Sequence, residues 1–164
     1  MRININELKG TFKMCPASTK YHGAYKGGLL AHSKKVFEIY WHLLGFYGSP
    51  LSRESALKVS ILHDLCKIDN YIENEDGSFS YNKKAVKGHA LKSIALAKKL
   101  FGLTRLEEKI IKFHMGVYGT YEHNENNPYG NGEYSEAELK AAFEFKEIKA
   151  FHEADMIASQ VFKC

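Results

Sequence analysis

Apolar residues recur along this chain at helical spacing more often than at strand spacing. From Leu29 they fall at Leu29, Val36, Ile39, Tyr40 and Leu43, a stripe that also carries His32. Gly45, Gly48 and Pro50 close that helix, and Ser52, with Ser55 as the alternative, is placed to cap the next. The second helix is expected to run to about residue 67. Its Ala56, Leu57, Val59, Ile61, Leu62 and Leu65 leave almost no polar face, a pattern that belongs in a core. A third helix is predicted over about 88–101, with His89 in its first turn, Ile94, Ala97 and Leu100 inward, and Gly102 as its stop. A fourth starts at the cap residue Thr104 and ends near His114, which lies one turn after Ile110 on the apolar side. Ser135 opens a last helical region. Its inward stripe is Ile148, Phe151, Ala158 and Phe162, and Asp155 lies on that stripe.

Between these stripes the pattern changes. Residues 1–20 read as mostly irregular, with Pro16 restricting Cys15 to extended backbone. Residues 21–28 form a turn-rich approach to the first stripe. Tyr71 to Asn74 and Phe79 to Tyr81 read as two short strands around an Asp-Gly turn, a ribbon expected to pack over a helix end. Residues 116–134 hold four glycines and Pro128, and are expected to be structureless. The fold class is therefore all-α, a helical bundle with one small β-hairpin. With 164 residues the chain is expected to be a single domain over 1–164.

Composition narrows the setting. No apolar run approaches the ~20 residues of a membrane span, and the first ten residues carry no secretory pattern. Cys15, Cys66 and Cys164 are odd in number and far apart, which argues against a disulfide framework and for a reducing, cytoplasmic setting. The formal charge of +4 is compatible with an anionic ligand but does not select one.

The chemistry concentrates at five stations: His32, His63-Asp64, His89, His114 and Asp155. Each lies on the buried side or in the first turn of a different predicted helix. One histidine on an apolar stripe is ordinarily a hydrogen-bonded core residue, and Asp155 alone could cap a neighbouring helix. The coincidence of all five favours a convergent cage of nitrogen and oxygen. An imidazole and a carboxylate set side by side in an apolar segment need a partner, and a metal cation is the usual one.

The order and spacing of these residues resemble the HD-domain metal-dependent phosphohydrolase superfamily, whose pattern is a His, then His-Asp, then a distant Asp, with two further His in members that hold two metals. The stretch Cys15-Pro16-Ala17-Ser18, His22, Gly27-Gly28-Leu29-Leu30-Ala31-His32-Ser33 is similar to one branch, the HD domains of bacterial 3′–5′ exoribonucleases and conjugative relaxases. His63-Asp64-Leu65-Cys66-Lys67 resembles the family's His-Asp-x-x-Lys, with Cys66 where a glycine is common. Gly88-His89 and His114-Met115-Gly116 fit the later motifs, whereas residues 117–134 have no counterpart.

The resemblance implies an HD-domain-like bundle that holds one or two divalent ions through His32, His63, Asp64, His89, His114 and Asp155, with Asp64 as the bridge. Imidazole with carboxylate favours Mn, Fe, Co or Ni over Mg. The implied function is phosphomonoester or phosphodiester hydrolysis by a metal-activated water, acting on a nucleotide or a nucleic-acid end. The alternative is a non-catalytic, metal-dependent nucleotide-binding module. Within the first reading a small nucleotide is favoured over a long nucleic acid, because the chain is only mildly basic and shows no separate binding module. No membrane is expected as a partner. Protein partners are left open by the sequence.

Several residues keep two readings. Lys67 either stabilises charge on a phosphoryl group, as catalytic and substrate-binding residue, or is a solvated lysine at a helix end. His22 either faces substrate or stabilises a turn. His152 either supports a ligand or is exposed, and His42 and His123 carry no assignment. Lys83, Lys84 and Lys87 either attract a phosphate or are solvated. Tyr118, Tyr121, Tyr129 and Tyr134 either stack on a base or belong to a surface excursion.

Overall fold

The stripe through Leu29, Val36 and Tyr40 forms one face of α2 (Gly28–Phe46), and the stripe through Ile148, Phe151 and Ala158 forms the facing side of α8 (Lys146–Gln160). Among the described residues these two helices make the most extensive pairing. Tyr40 meets Phe151 edge-on with ring centroids 4.9 Å apart, and its hydroxyl donates to the Glu147 carbonyl. The structure is a computed structural model describing residues 5–125 and 132–163, with side chains from residue 10. It is mainly helical with one two-stranded antiparallel sheet, in agreement with the expected class.

Around the central pair lie α1 (Ile5–Met14), α3 (Arg53–Leu62), α4 (Ala90–Leu100) and α5 (Arg105–Phe113). The short α6 (Tyr121–Asn124) and α7 (Glu136–Ala142) follow before α8. Their starts obey local capping chemistry. Ser52 accepts the Ser55 N–H. Thr104 and Ser135 each head a full capping box, closed by Glu107 and Glu138. The hairpin pairs β1 (Tyr71–Glu73) with β2 (Phe79–Tyr81), Ile72 opposite Ser80. Asn82 ties its base to the backbone of Asp69 and Asn70.

Gly27 and Gly28 are needed for different reasons. Gly27 has φ 87°, a left-handed conformation that side chains disfavour. At Gly28 a Cβ would lie 2.0 Å from the Gly23 carbonyl oxygen, so only glycine lets the 17–27 turn fold back onto α2. That turn is held by the Ala17 N–H to Gly23 carbonyl bond and by Ser18, which donates to the His22 carbonyl. The result places His22 over the start of α2.

Four expectations need correction. Residues 5–14 are helical rather than irregular: the constraint from Pro16 reaches only Cys15, and Phe12 finds a buried place. The second predicted helix stops at Leu62, and Leu65–Ile68 is a 3-10 turn. Leu57 and Phe162 are not core residues, being 38% and 51% exposed. Leu57 instead lines a groove of about 610 Å³ with Phe12, Ile61 and Phe101, to which none of the five stations contributes. The 116–134 segment is not structureless where it is described. It contains a 3-10 turn (Gly116–Gly119), α6 and a bridge between Thr120 and Tyr134. Tyr129 and Cys164 lie outside the described residues.

The buried Glu107 carboxylate ties the start of α5 to α3. It accepts the Thr104 N–H at 2.8 Å, the Ser55 hydroxyl at 2.8 Å and the Lys58 ammonium at 3.0 Å. Burial pushes its pKa up, but those three donors outweigh burial and leave it below the usual glutamate value. Its contribution to stability is therefore full above the unfolded pKa and lost as pH falls through the folded one. Glu107→Ala should cost about 1–3 kcal/mol near neutrality. In urea unfolding, the deficit against the unaltered chain should shrink below about pH 4. A deficit that is the same at both ends of that range would show that ionisation of Glu107 is not its source.

Candidate metal centre

Two of the five stations sit at helix ends, where the last carbonyls have no partner within the helix. His63 follows the last residue of α3, and its Nδ1 lies 2.9 Å from the Ser60 carbonyl. His114 follows the last residue of α5, and its Nδ1 lies 2.7 Å from the Ile111 carbonyl. A carbonyl cannot donate, so in each ring Nδ1 carries the hydrogen. In the neutral ring Nε2 then bears a lone pair. Both rings are buried. Their Nε2 atoms point inward.

His32 and Asp155 arrive from the central helix pair, on the stripes expected of them. His32 Nε2 is 3.0 Å from Asp155 Oδ1 and 3.3 Å from His63 Nε2. His89 immediately precedes α4, and its Nε2 is 3.1 Å from His114 Nε2. Asp64 lies between the two pairs. Its Oδ2 is 3.4 Å from His63 Nε2 and 3.8 Å from His32 Nε2. Its Oδ1 is 3.0 Å from His89 Nε2 and 3.9 Å from His114 Nε2. All six predicted metal residues are thus brought to one place. Among the described residues, the sets His32/His63/Asp155, His63/Asp64/His114 and Asp64/Cys66/His89 have the donor spacing to hold an ion.

The chemistry of this donor set fits a cation. Asp64 Oδ1 is buried and has no well-aligned hydrogen bond, since His89 Nε2 is near it in distance only. A buried carboxylate oxygen left so is costly unless a positive group meets it. Burial opposes ionisation of Asp64, but Lys67, His63 and His89 overcome it and hold the carboxyl well below its usual range. Burial together with His63 and His89 pushes His114 down to about 3, the neutral form that ligates metals.

Lys67 is not a solvated helix-end residue. It is 8% exposed, and its ammonium is 2.6 Å from Asp64 Oδ2. His22 is half-buried, with its ring 5.0 Å from that of His32. Burial, Lys67 and His32 lower its pKa to about 4. His152 places Nδ1 2.7 Å from the His114 carbonyl and packs on Phe143, so it supports the chain beyond His114. His42, His123, Lys83, Lys84 and Lys87 are exposed.

Sequence reasoning missed two contributors. Cys66 is fully buried, and its Sγ lies 3.5 Å from His89 Nδ1. Its place in the His-Asp-x-x-Lys stretch was the available signal. Glu133 takes the N–H groups of His89 and Ala90 at 2.8 and 3.0 Å. Nothing local marks a contact that spans 44 residues. Tyr134, expected among the stacking candidates, is a core residue whose hydroxyl donates to the Gly116 carbonyl.

Comparison with known proteins points to a class and then to one relative. Over 119 residues, 70% of this chain, it is 30% identical to a curated phosphodiesterase. That relative is the dihydroneopterin 2′,3′-cyclic phosphate phosphodiesterase of Methanocaldococcus jannaschii, and the matched stretch covers 47% of its length. No family model and no solved structure matches.

If the donor set holds ions, Mn or Co should raise the Tm of chelator-treated protein. The expected gain is about 2.7 kcal/mol at a hundredfold excess over Kd. Asp64→Ala should remove the gain. A melting temperature unmoved by Mn, Fe, Co and Ni alike would exclude an ion site here.

Proposed function

We propose that this chain is a metal-dependent phosphohydrolase of the HD-domain type, cleaving a phosphoester of a nucleotide-like substrate. The observation that carries the reading is the position of Asp64, with one carboxylate oxygen toward His32 and His63 and the other toward His89 and His114. His32, His63, Asp155 and Asp64 Oδ2 would hold one ion, and His89, His114 and Asp64 Oδ1 a second. Bound there, such ions supply Lewis acidity toward water and toward the phosphoryl oxygens.

The protein groups have separable tasks. The carbonyls of Ser60 and Ile111 keep His63 and His114 in the ligating tautomer. Lys67 holds Asp64 ionised and brings a fixed positive charge to the edge of the centre, where a phosphoryl group gains negative charge. That makes Lys67 both a catalytic and a substrate-binding residue. His22, neutral at physiological pH and facing His32, is placed to donate or accept a hydrogen bond with the substrate. Tyr118 and Tyr121 remain exposed and available for stacking.

The relative's name makes a 2′,3′-cyclic phosphate the first substrate to try. Likeness of the 15–33 stretch to exoribonuclease and relaxase HD domains makes short oligonucleotides the second. A panel of 2′,3′-cyclic nucleotides, linear dinucleotides, oligonucleotides and nucleoside monophosphates, each with Mn, Co, Ni or Mg, tests the reading. Metal-dependent product release from at least one member is expected, and Asp64→Ala should abolish it. Saturable nucleotide binding without turnover would instead identify a non-catalytic binding module. Release that survives the substitution would assign the activity elsewhere.

A further inference from the structure

The segment between α5 and α7 joins the two histidines of the second ion position through a chain of short contacts. It leaves His114 at Gly116, whose φ is +56° and where a Cβ would lie 2.4 Å from the His152 ring. The Gly116 carbonyl accepts the Tyr134 hydroxyl at 2.8 Å, and the Tyr134 ring packs on Phe113 with centroids 4.7 Å apart. Thr120 bridges Tyr134, the Tyr121 N–H reaches the Tyr134 carbonyl, and the Glu133 N–H reaches the Gly119 carbonyl. At Gly132 a Cβ would lie 2.5 Å from the Tyr121 backbone, so the backbone just before Glu133 is pressed against the start of α6. Glu133 is therefore fixed from both sides.

From that fixed point its carboxylate spans the start of α4. Oε1 accepts the His89 N–H at 2.8 Å, Oε2 accepts the Ala90 N–H at 3.0 Å, and both lie 3.3–3.4 Å from the Leu91 N–H. The preceding Gly88 has φ +121°, and His89 itself has no side-chain cap of its own. The backbone of His89 is thus set by a residue that is distant in sequence and anchored to the end of α5. His63, His114 and Asp64 need no such help, because each follows directly from α3 or α5.

We infer that Glu133 is a positioning residue for the second ion: it locks His89 opposite His114, and the contacts of residues 116–121 with 132–134 clamp it in place. The inference rests on the two-ion reading above. It assigns a task to the one stretch for which the family resemblance supplied no counterpart.

The test is metal stoichiometry and affinity on the full chain, made metal-free and titrated with Mn or Co. The unaltered protein should take two ions. Glu133→Ala should keep the first at its original affinity and bind the second at least about tenfold more weakly, a loss of about 1.4 kcal/mol. Glu133→Gln should give an intermediate loss, because the amide keeps one accepting oxygen but sets its NH2 against the other N–H. Glu138→Ala, which cuts the capping box of α7 instead, should lower Tm and leave both ions in place. Should Glu133→Ala fail to fold, Glu133→Asp shortens the reach and should weaken the second ion in the same way. A second ion bound normally by these Glu133 variants, or weakened equally by Glu138→Ala, overturns the inference. An unaltered protein that binds fewer than two ions overturns the two-ion reading itself.

Discussion

A buried carboxylate with one lysine ammonium and several imidazoles packed around it is the constraint on which this architecture turns. Asp64 is 2% exposed and ionised, a state that a low-dielectric interior strongly disfavours unless every oxygen is met. Lys67 meets Oδ2 directly. The end of α3 before Asp64 brings it closer. Residues three apart are neighbours on an α-helix too, though offset around it. In the 3-10 turn that replaces it, side chains three apart eclipse, and the ammonium stands over the carboxylate. The helix end also frees the carbonyl that orients His63. One local change of backbone therefore sets three of the site's groups.

The remaining groups are supplied by two different strategies. His32 comes from the second turn of α2 and Asp155 from within α8, two helices whose Tyr40–Phe151 packing holds them together. His63 and His114 come from helix ends, and unsatisfied carbonyls choose their tautomer. Packing controls distance in the first case. Hydrogen bonding controls protonation in the second. Each strategy is effective because the donor atoms are few and the interior is close-packed, so a ring cannot turn away without opening a cavity.

This division explains what could be read in advance. Mid-helix residues were legible: the 3.6-residue period put His32 with Leu29 and Val36, and Asp155 with Ile148 and Phe151. Helix starts were legible from Ser52, Thr104 and Ser135, whose side chains cap the backbone locally. The stop at Leu62 was not, because an apolar run through Leu65 and Cys66 looks the same in an α-helix and in a 3-10 turn. Glu133 and Tyr134 were illegible for another reason. Their partners are 18 to 44 residues away, and a glycine- and asparagine-rich composition hides a segment that is tied down at its ends. Leu57 misled in the opposite direction, since hydrophobicity reports a preference for burial but not whether a neighbour is present to provide it.

Cys66 shows how the surroundings of His89 differ from those of His63 and His114. His63 and His114 each have a carbonyl at Nδ1, but His89 stands at the beginning of α4, where N–H groups rather than carbonyls are exposed. A helix start cannot orient an imidazole by the device used at the two helix ends. The Cys66 sulfur lies at His89 Nδ1 instead, and the Cys66 N–H donates to the Ser93 hydroxyl, docking the 3-10 turn against α4. A glycine at this place would leave Nδ1 without that neighbour. Sulfur is a weak hydrogen-bond acceptor, so His89 is held less firmly at Nδ1 than His63 and His114. The weight of its placement falls on the backbone, where the Glu133 carboxylate grips it.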